Sequence, residues 1–142
     1  DLIRLITLAV SDSVELFDDW DADRFENITD LMMAKEILLL IESLNGITSV
    51  VKSDHILNLF ETVEGTLPQD KESMLEIIRT FLAMEPERQC VYQVGRRLGF
   101  FSRISDMQSP RRLKKAEKAC RQFGVTAENV DEVIDELMKR FI

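Results

Sequence analysis

Apolar side chains recur every three to four residues along most of this chain, the spacing of one face of a helix. Leu2, Ile6, Ala9, Val10, Val14 and Phe17 predict a first helix over 2–17, followed by an acidic loop over 18–27. The stretch 30–44 predicts a helix with apolar residues nearly all round, from Leu31, Met32 and Met33 through Ile37–Ile41 to Leu44. A helix of that kind belongs in the middle of a bundle. Thr29 or Asp30 caps its start, and Asn45–Gly46 supplies the left-handed residue that ends it.

Residues 47–51 hold the one β-branched cluster, and without a partner strand they read as a connector or a helical turn. Ser53 or Asp54 opens a helix running to Glu64, with Ile56, Leu57, Phe60 and Val63 inward and Gly65 as its stop. A helix over 69–84 turns Met74, Leu75, Ile78, Phe81 and Leu82 to one side. Pro86 suits the first turn of the next, which buries Cys90, Val91, Val94, Leu98 and Phe101. Gly95 and Gly99 on that helix predict close approach of a neighbour. Ser109–Pro110 and Gly124 bracket a further helix, with Leu113, Ala116, Cys120 and Phe123 inward. Thr126 caps the last, whose apolar positions run from Val130 to Phe141. The expected fold class is all-α: a single compact bundle of six to seven helices spanning 1–142, the last two forming a helix-turn-helix-like hairpin.

Composition agrees with long regular segments. Only 5 Gly and 3 Pro occur in 142 residues, about half the usual share of roughly 12%. The longest unbroken apolar run, Ile37–Ile41, is far short of a membrane span. The first residue is Asp1 rather than Met, so the chain reads as a piece of a longer protein. Cys90 and Cys120 lie 30 residues apart in no metal or redox spacing, and reduced core thiols point to an intracellular setting, cytoplasmic or nuclear.

Charge changes the picture most. The net charge is −8, which disfavours indiscriminate binding to nucleic acid or an anionic membrane. Residues 1–95 carry seven basic and nineteen acidic side chains, a balance of −12. Residues 96–121 carry nine basic and two acidic, +7, and residues 122–142 two and five, −3.

Candidate chemistry is sparse. The single histidine, His55, has no nucleophile or carboxylate motif beside it, and no phosphate-cradling glycine loop or metalloprotease pair is present. Nothing argues for an enzyme. Asp19, Asp21 and Asp23, with Asp30 at the twelfth position, resemble the ligand spacing of an EF-hand calcium loop. Arg24 stands where that loop bends on glycine, and Glu26 where it carries an apolar residue. The stretch is therefore read as an acidic solvated loop or partner-binding patch, with no metal or other cofactor assigned. Cys120, Gly124 and Val130 resemble the packing core of a helix-turn-helix unit. The outward residues of its second helix are Glu128, Asp131, Glu132, Asp135 and Glu136, the wrong sign for facing phosphates.

The preceding helix has the opposite character. Arg111, Lys114, Lys115, Lys118 and Arg121 gather opposite its apolar face, and Arg96, Arg97 and Arg103 extend the positive region around Phe100 and Phe101. A basic strip with aromatics suits an acidic protein surface or peptide, a second copy of the chain, or single-stranded nucleic acid. The expectation is a helical protein-interaction or regulatory domain of a larger intracellular protein, docking an acidic partner through these ten residues. The alternative is a domain associated with RNA or a single strand rather than a major-groove reader.

Overall fold

A computed structural model describes residues 1–6, 29–55 and 58–139. In chain order these form strand β1 (Leu2–Arg4), helix α1 (Asp30–Ser43), strands β2 (Val50–Lys52) and β3 (Gly65–Thr66), helices α2 (Lys71–Leu82) and α3 (Pro86–Arg97), a 3-10 turn (Ile104–Gln108), and helices α4 (Pro110–Phe123) and α5 (Val130–Met138). The chain is mostly helical, with five α-helices among the described residues and one small sheet. The expectation of six to seven helices in a sheetless bundle is thus corrected.

The sheet comes from segments that looked helical or too short. β1 runs parallel to β2, pairing Leu2 with Val50 and Ile3 with Val51, while β2 runs antiparallel to β3. The β-branched cluster near residue 50 is the middle strand, and Val51 is its buried member. Of the helix expected over 2–17, residues 2–4 are strand, and residues 7–17 lie outside the described residues. The acidic loop with Asp19, Asp21 and Asp23 also lies outside them.

Where it is described, the segment expected as a helix over 53–64 is irregular chain instead, and Ile56 and Leu57 lie outside the described residues. Its described polar groups find partners elsewhere: the Asn58 amide donates to the Leu5 carbonyl (2.6 Å) and to Ser53 Oγ (3.0 Å). The Tyr92 hydroxyl donates to the Leu59 carbonyl (2.7 Å), and Arg96 Nε to the Asn58 carbonyl (3.1 Å). Side chains of α3 therefore occupy carbonyls that a helix would have used internally. Leu59, Phe60 and Val63 still reach the core.

Which helix is central is also reversed. The apolar α1 lies at the periphery: only Asp30, Ala34 and Ile41 are buried, and Leu39 remains 60% exposed. Thr29 Oγ1 accepts from the Met32 N–H to cap its start, and Lys71 Nζ donates to the Glu42 carbonyl at its end. The central helix is α3, where eight of twelve residues are buried, including Gln89, Gln93, Arg96 and Arg97. Burial of such groups is tolerated because each finds a partner. Gln89 donates to the Phe81 carbonyl (3.0 Å). Gln93 Nε2 donates to Asp30 Oδ2 (3.1 Å), and Arg97 pairs with Asp30 Oδ1 at 2.6 Å.

Around α3 the apolar residues form two clusters. The larger holds Ala34, Ile41, Val51, Phe60, Met74, Ile78, Phe81, Tyr92 and Phe101, with rings in sequence from Phe60 through Phe81 and Tyr92 to Phe101 at centroid separations of 5.4, 5.7 and 6.0 Å. The smaller holds Cys90, Val94, Ala119, Val130, Ile134, Leu137 and Met138. Gly95 makes the close approach its sequence context implied: a Cβ there would sit 2.3 Å from the Phe101 ring and 3.1 Å from Ala116 Cβ. Gly99 serves a different purpose. Its φ of +84° ends α3, and the Phe100 N–H turns back to the Gly95 carbonyl at 2.8 Å.

Two stability predictions follow from this packing. Asp30→Ala strands a buried guanidinium and should lower the unfolding free energy by about 3–5 kcal/mol. In urea titrations, Asp30→Ala combined with Arg97→Met should cost less than the two single changes added together. Gly95→Ala overpacks the contact between α3 and Phe101 and should cost about 1–3 kcal/mol.

Candidate functional site

Helix α4 is built to present one polar face. Ser109 Oγ accepts from the Arg112 N–H, Pro110 fills the first helical position, and Gly124 ends the helix in the left-handed region (φ +62°, ψ +39°). Ala116 and Ala119 are buried, and Leu113 and Cys120 half-buried, on the face toward α3 and α5. On the opposite face Arg111, Lys114, Lys115, Lys118 and Arg121 are all exposed. At 1.5 Å per residue they cover about 15 Å of helix. Among the described residues none of the five makes an ion pair. Arg111 lies in the first turn, where the helix dipole disfavours a cation and which itself holds no acidic residue.

The remaining expected docking residues divide. Arg103 is exposed just before the 3-10 turn. Phe100 is half-buried and packs against both apolar clusters. Arg96, Arg97 and Phe101 are buried, which corrects their placement on the surface strip. Arg97 is held by Asp30, and Arg96 lies 3.5 Å from Glu61. Phe101 stacks on Tyr92. Arg112 reaches Asp106 Oδ1 at 2.9 Å, and the other oxygen of that carboxylate accepts from the Ser102 and Arg103 N–H groups. Three of the nine cations of the +7 segment are therefore matched within the fold.

Phe123, expected inward, is 45% exposed at the end of α4. The following turn is tied by reciprocal bonds between Thr126 and Asn129: Asn129 Oδ1 accepts from the Thr126 N–H (2.7 Å), and Thr126 Oγ1 from the Asn129 N–H (3.3 Å). On α5 the row of acids faces outward. Glu128, Asp131, Glu132 and Glu136 are exposed and Asp135 is half-buried. Burial, with the Asp30 charge second, raises the Asp131 carboxyl above its usual range. Cys120 and Val130 lie together in the smaller apolar cluster across this hairpin.

Two other features bear on chemistry. A cleft of about 750 Å³ opens between α3, α4 and the start of α5, with Cys90, Cys120, Glu87, Glu117 and Glu128 among its walls. The Cys120 thiol points at the Cys90 carbonyl, 4.0 Å away. Burial, reinforced by Cys90 and Glu117, pushes Cys120 up to about 11, and burial with the Asp131 charge raises Cys90 as well. Both thiols are therefore protonated near neutrality, the opposite of an activated nucleophile. Asp30, the twelfth position of the calcium-like spacing, is committed to Arg97 and Gln93. His55 is half-buried in the irregular stretch before β3. Among the described residues no three His, Cys, Asp or Glu side chains converge as a metal site, and no helix is long and apolar enough to cross a membrane.

No family model, curated protein or solved structure matches this chain.

The Cys120 environment fixes a pH dependence. In the folded chain at pH 8 its alkylation by iodoacetamide, followed by mass spectrometry, should run about a hundred-fold slower than in urea, where the thiol regains its ordinary value. The folded rate should climb about tenfold per pH unit and level off only near 11, because the reactive thiolate accumulates until the folded pKa is passed.

Proposed function

We propose that this chain is a helical protein-interaction or regulatory domain of a larger intracellular protein, and that it docks an acidic partner on the outward face of α4. The observation that supports this reading is the row of five exposed cations, without ion pairs among the described residues, on a chain of net charge −8. The overall sign repels other acidic molecules at long range, while the row attracts carboxylates at contact, so the surface selects orientation more than it supplies affinity. Continuation of the row into the first turn, against the helix dipole, favours a role beyond holding the helix together.

The partner is a protein rather than a nucleic acid in this reading. Single-strand binding draws on aromatic rings interleaved with the cations. Phe101 is buried and Phe100 is half-buried in the core, and the exposed Phe123 at the end of α4 follows Ala119 by four residues, on the side away from the cations, so no ring is interleaved with them. A spacing of three and four residues also matches carboxylates along one face of a helix, whose neighbours lie about 5–6 Å apart.

The test is fluorescence anisotropy with two labelled probes, a helical peptide carrying glutamates at every fourth position and an oligouridylate of equal charge. The peptide should bind the chain, and Arg111→Glu combined with Lys114→Glu and Lys118→Glu should weaken it at least about tenfold with an unchanged helical spectrum. Binding that is absent at low salt, or unaffected by the triple reversal, removes this reading. A preference for the oligouridylate with a steep salt slope would favour the nucleic-acid alternative instead.

A further inference from the structure

We infer that the acidic partner of α4 is a second copy of this chain, whose α5 presents the complementary face. The inference rests on the docking reading above and adds the identity of the occupant.

The charge patterns of the two helices match residue by residue. Arg111, Lys114, Lys115 and Lys118 stand at i, i+3, i+4 and i+7. Glu128, Asp131 and Glu132, all exposed, repeat the first three of these positions with the opposite sign. Glu128 precedes α5, yet the Val130 N–H bonds the Thr126 carbonyl at 3.0 Å, so helical winding already begins there. Each row lies opposite its own helix's core face. Ala116 and Ala119 turn inward on α4, and Val130, Ile134, Leu137 and Met138 on α5.

The rows do not neutralise each other within one molecule. The hairpin turns both outward, and among the described residues no ion pair joins the basic row to the acidic one. Between them in sequence, at the hairpin's turn, sits the exposed Phe123, an apolar contact for a surface otherwise made of charge. A second copy would set the basic row against Glu128, Asp131 and Glu132 with one kind of contact.

Because different faces meet, the contact either closes reciprocally about a two-fold or continues head to tail. It rests on exposed charges and is therefore weak. It also opposes the repulsion between two molecules of charge −8, which acts over the whole body. A Debye length of about 10 Å at 0.1 M salt screens that repulsion while leaving contact pairs in place, whereas about 3 Å at 1 M weakens both.

The test is sedimentation equilibrium of the full chain at high micromolar concentration. At about 0.1 M salt the mean mass should exceed the 16.4 kDa of one chain, and at about 1 M it should return to it. Arg111→Glu with Lys114→Glu and Lys118→Glu should be monomeric, as should Glu128→Lys with Asp131→Lys and Glu132→Lys. An equimolar mixture of the two variants should recover the higher mass, which two misfolded chains would not do. Lys35→Glu with Lys52→Glu, which reverses exposed cations elsewhere, should leave the association intact. A monomer at about 0.1 M salt, or association that survives the α5 reversal, overturns the inference. If the chain is monomeric yet still binds the glutamate peptide, the occupant is another acidic protein and only the self-docking inference falls. If it does neither, both fall.

Discussion

The fold turns on one buried carboxylate. Asp30, the first residue of α1, meets Arg97 at 2.6 Å and Gln93 at 3.1 Å, both from α3. Its charge also reaches Asp131 at the start of α5. Two helices, α1 and α3, are thus joined through a single buried anion. A buried pair of this kind contributes little net stability compared with well-packed apolar side chains, because desolvation offsets the attraction. Its larger effect is on arrangement, since any packing that separates the partners leaves a charge stranded. Arg96 extends the same constraint, holding the Asn58 carbonyl and approaching Glu61, so α3 is also set against the irregular chain between β2 and β3.

Helix existence was legible where periodicity and caps agreed, with the stretch 53–64 as the exception. Thr29 before α1, Pro86 in α3, and Ser109–Pro110 with Gly124 around α4 all occupy the positions their chemistry suggests. The sheet was not legible, because its strands are two or three residues long and Leu2–Arg4 fits a helical pattern equally well. The stretch after Ser53 was misread because its apolar spacing is helical while its carbonyls are claimed by Tyr92 and Arg96, residues more than thirty positions away. Choosing α1 as the middle helix followed from counting apolar residues. The structure places the more polar α3 there because Gln89, Tyr92, Gln93, Arg96 and Arg97 each meet a partner supplied by another element.

The candidate surface was legible in part for a related reason. Summed charge treats Arg97 and Lys118 alike, although one is 1% exposed at its side chain and the other lies in solvent. A signal for the difference was present: Arg97 shares the helical phase of Cys90 and Val94, on the apolar face of α3. On α4 the phase of the cations is opposite to the alanines, and there the sequence reading and the structure coincide. What remains after the core has taken Arg96 and Arg97, and Asp106 has taken Arg112, is a compact row on one helix.

The division of the apolar residues into two clusters has a dynamic consequence. α3 belongs to both, and Phe100 is the half-buried side chain that touches each. The larger cluster is closed by the sheet and by non-local contacts, whereas the smaller depends on the α4–α5 hairpin lying against one side of α3. Cooperative units of this kind open separately, the less extensive one at lower free energy. The hairpin carries both charged rows, so the proposed docking would act on the less extensive unit first. Occupancy of that surface would register as slowed amide exchange in α4 and α5, with the ring stack from Phe60 to Phe101 unmoved.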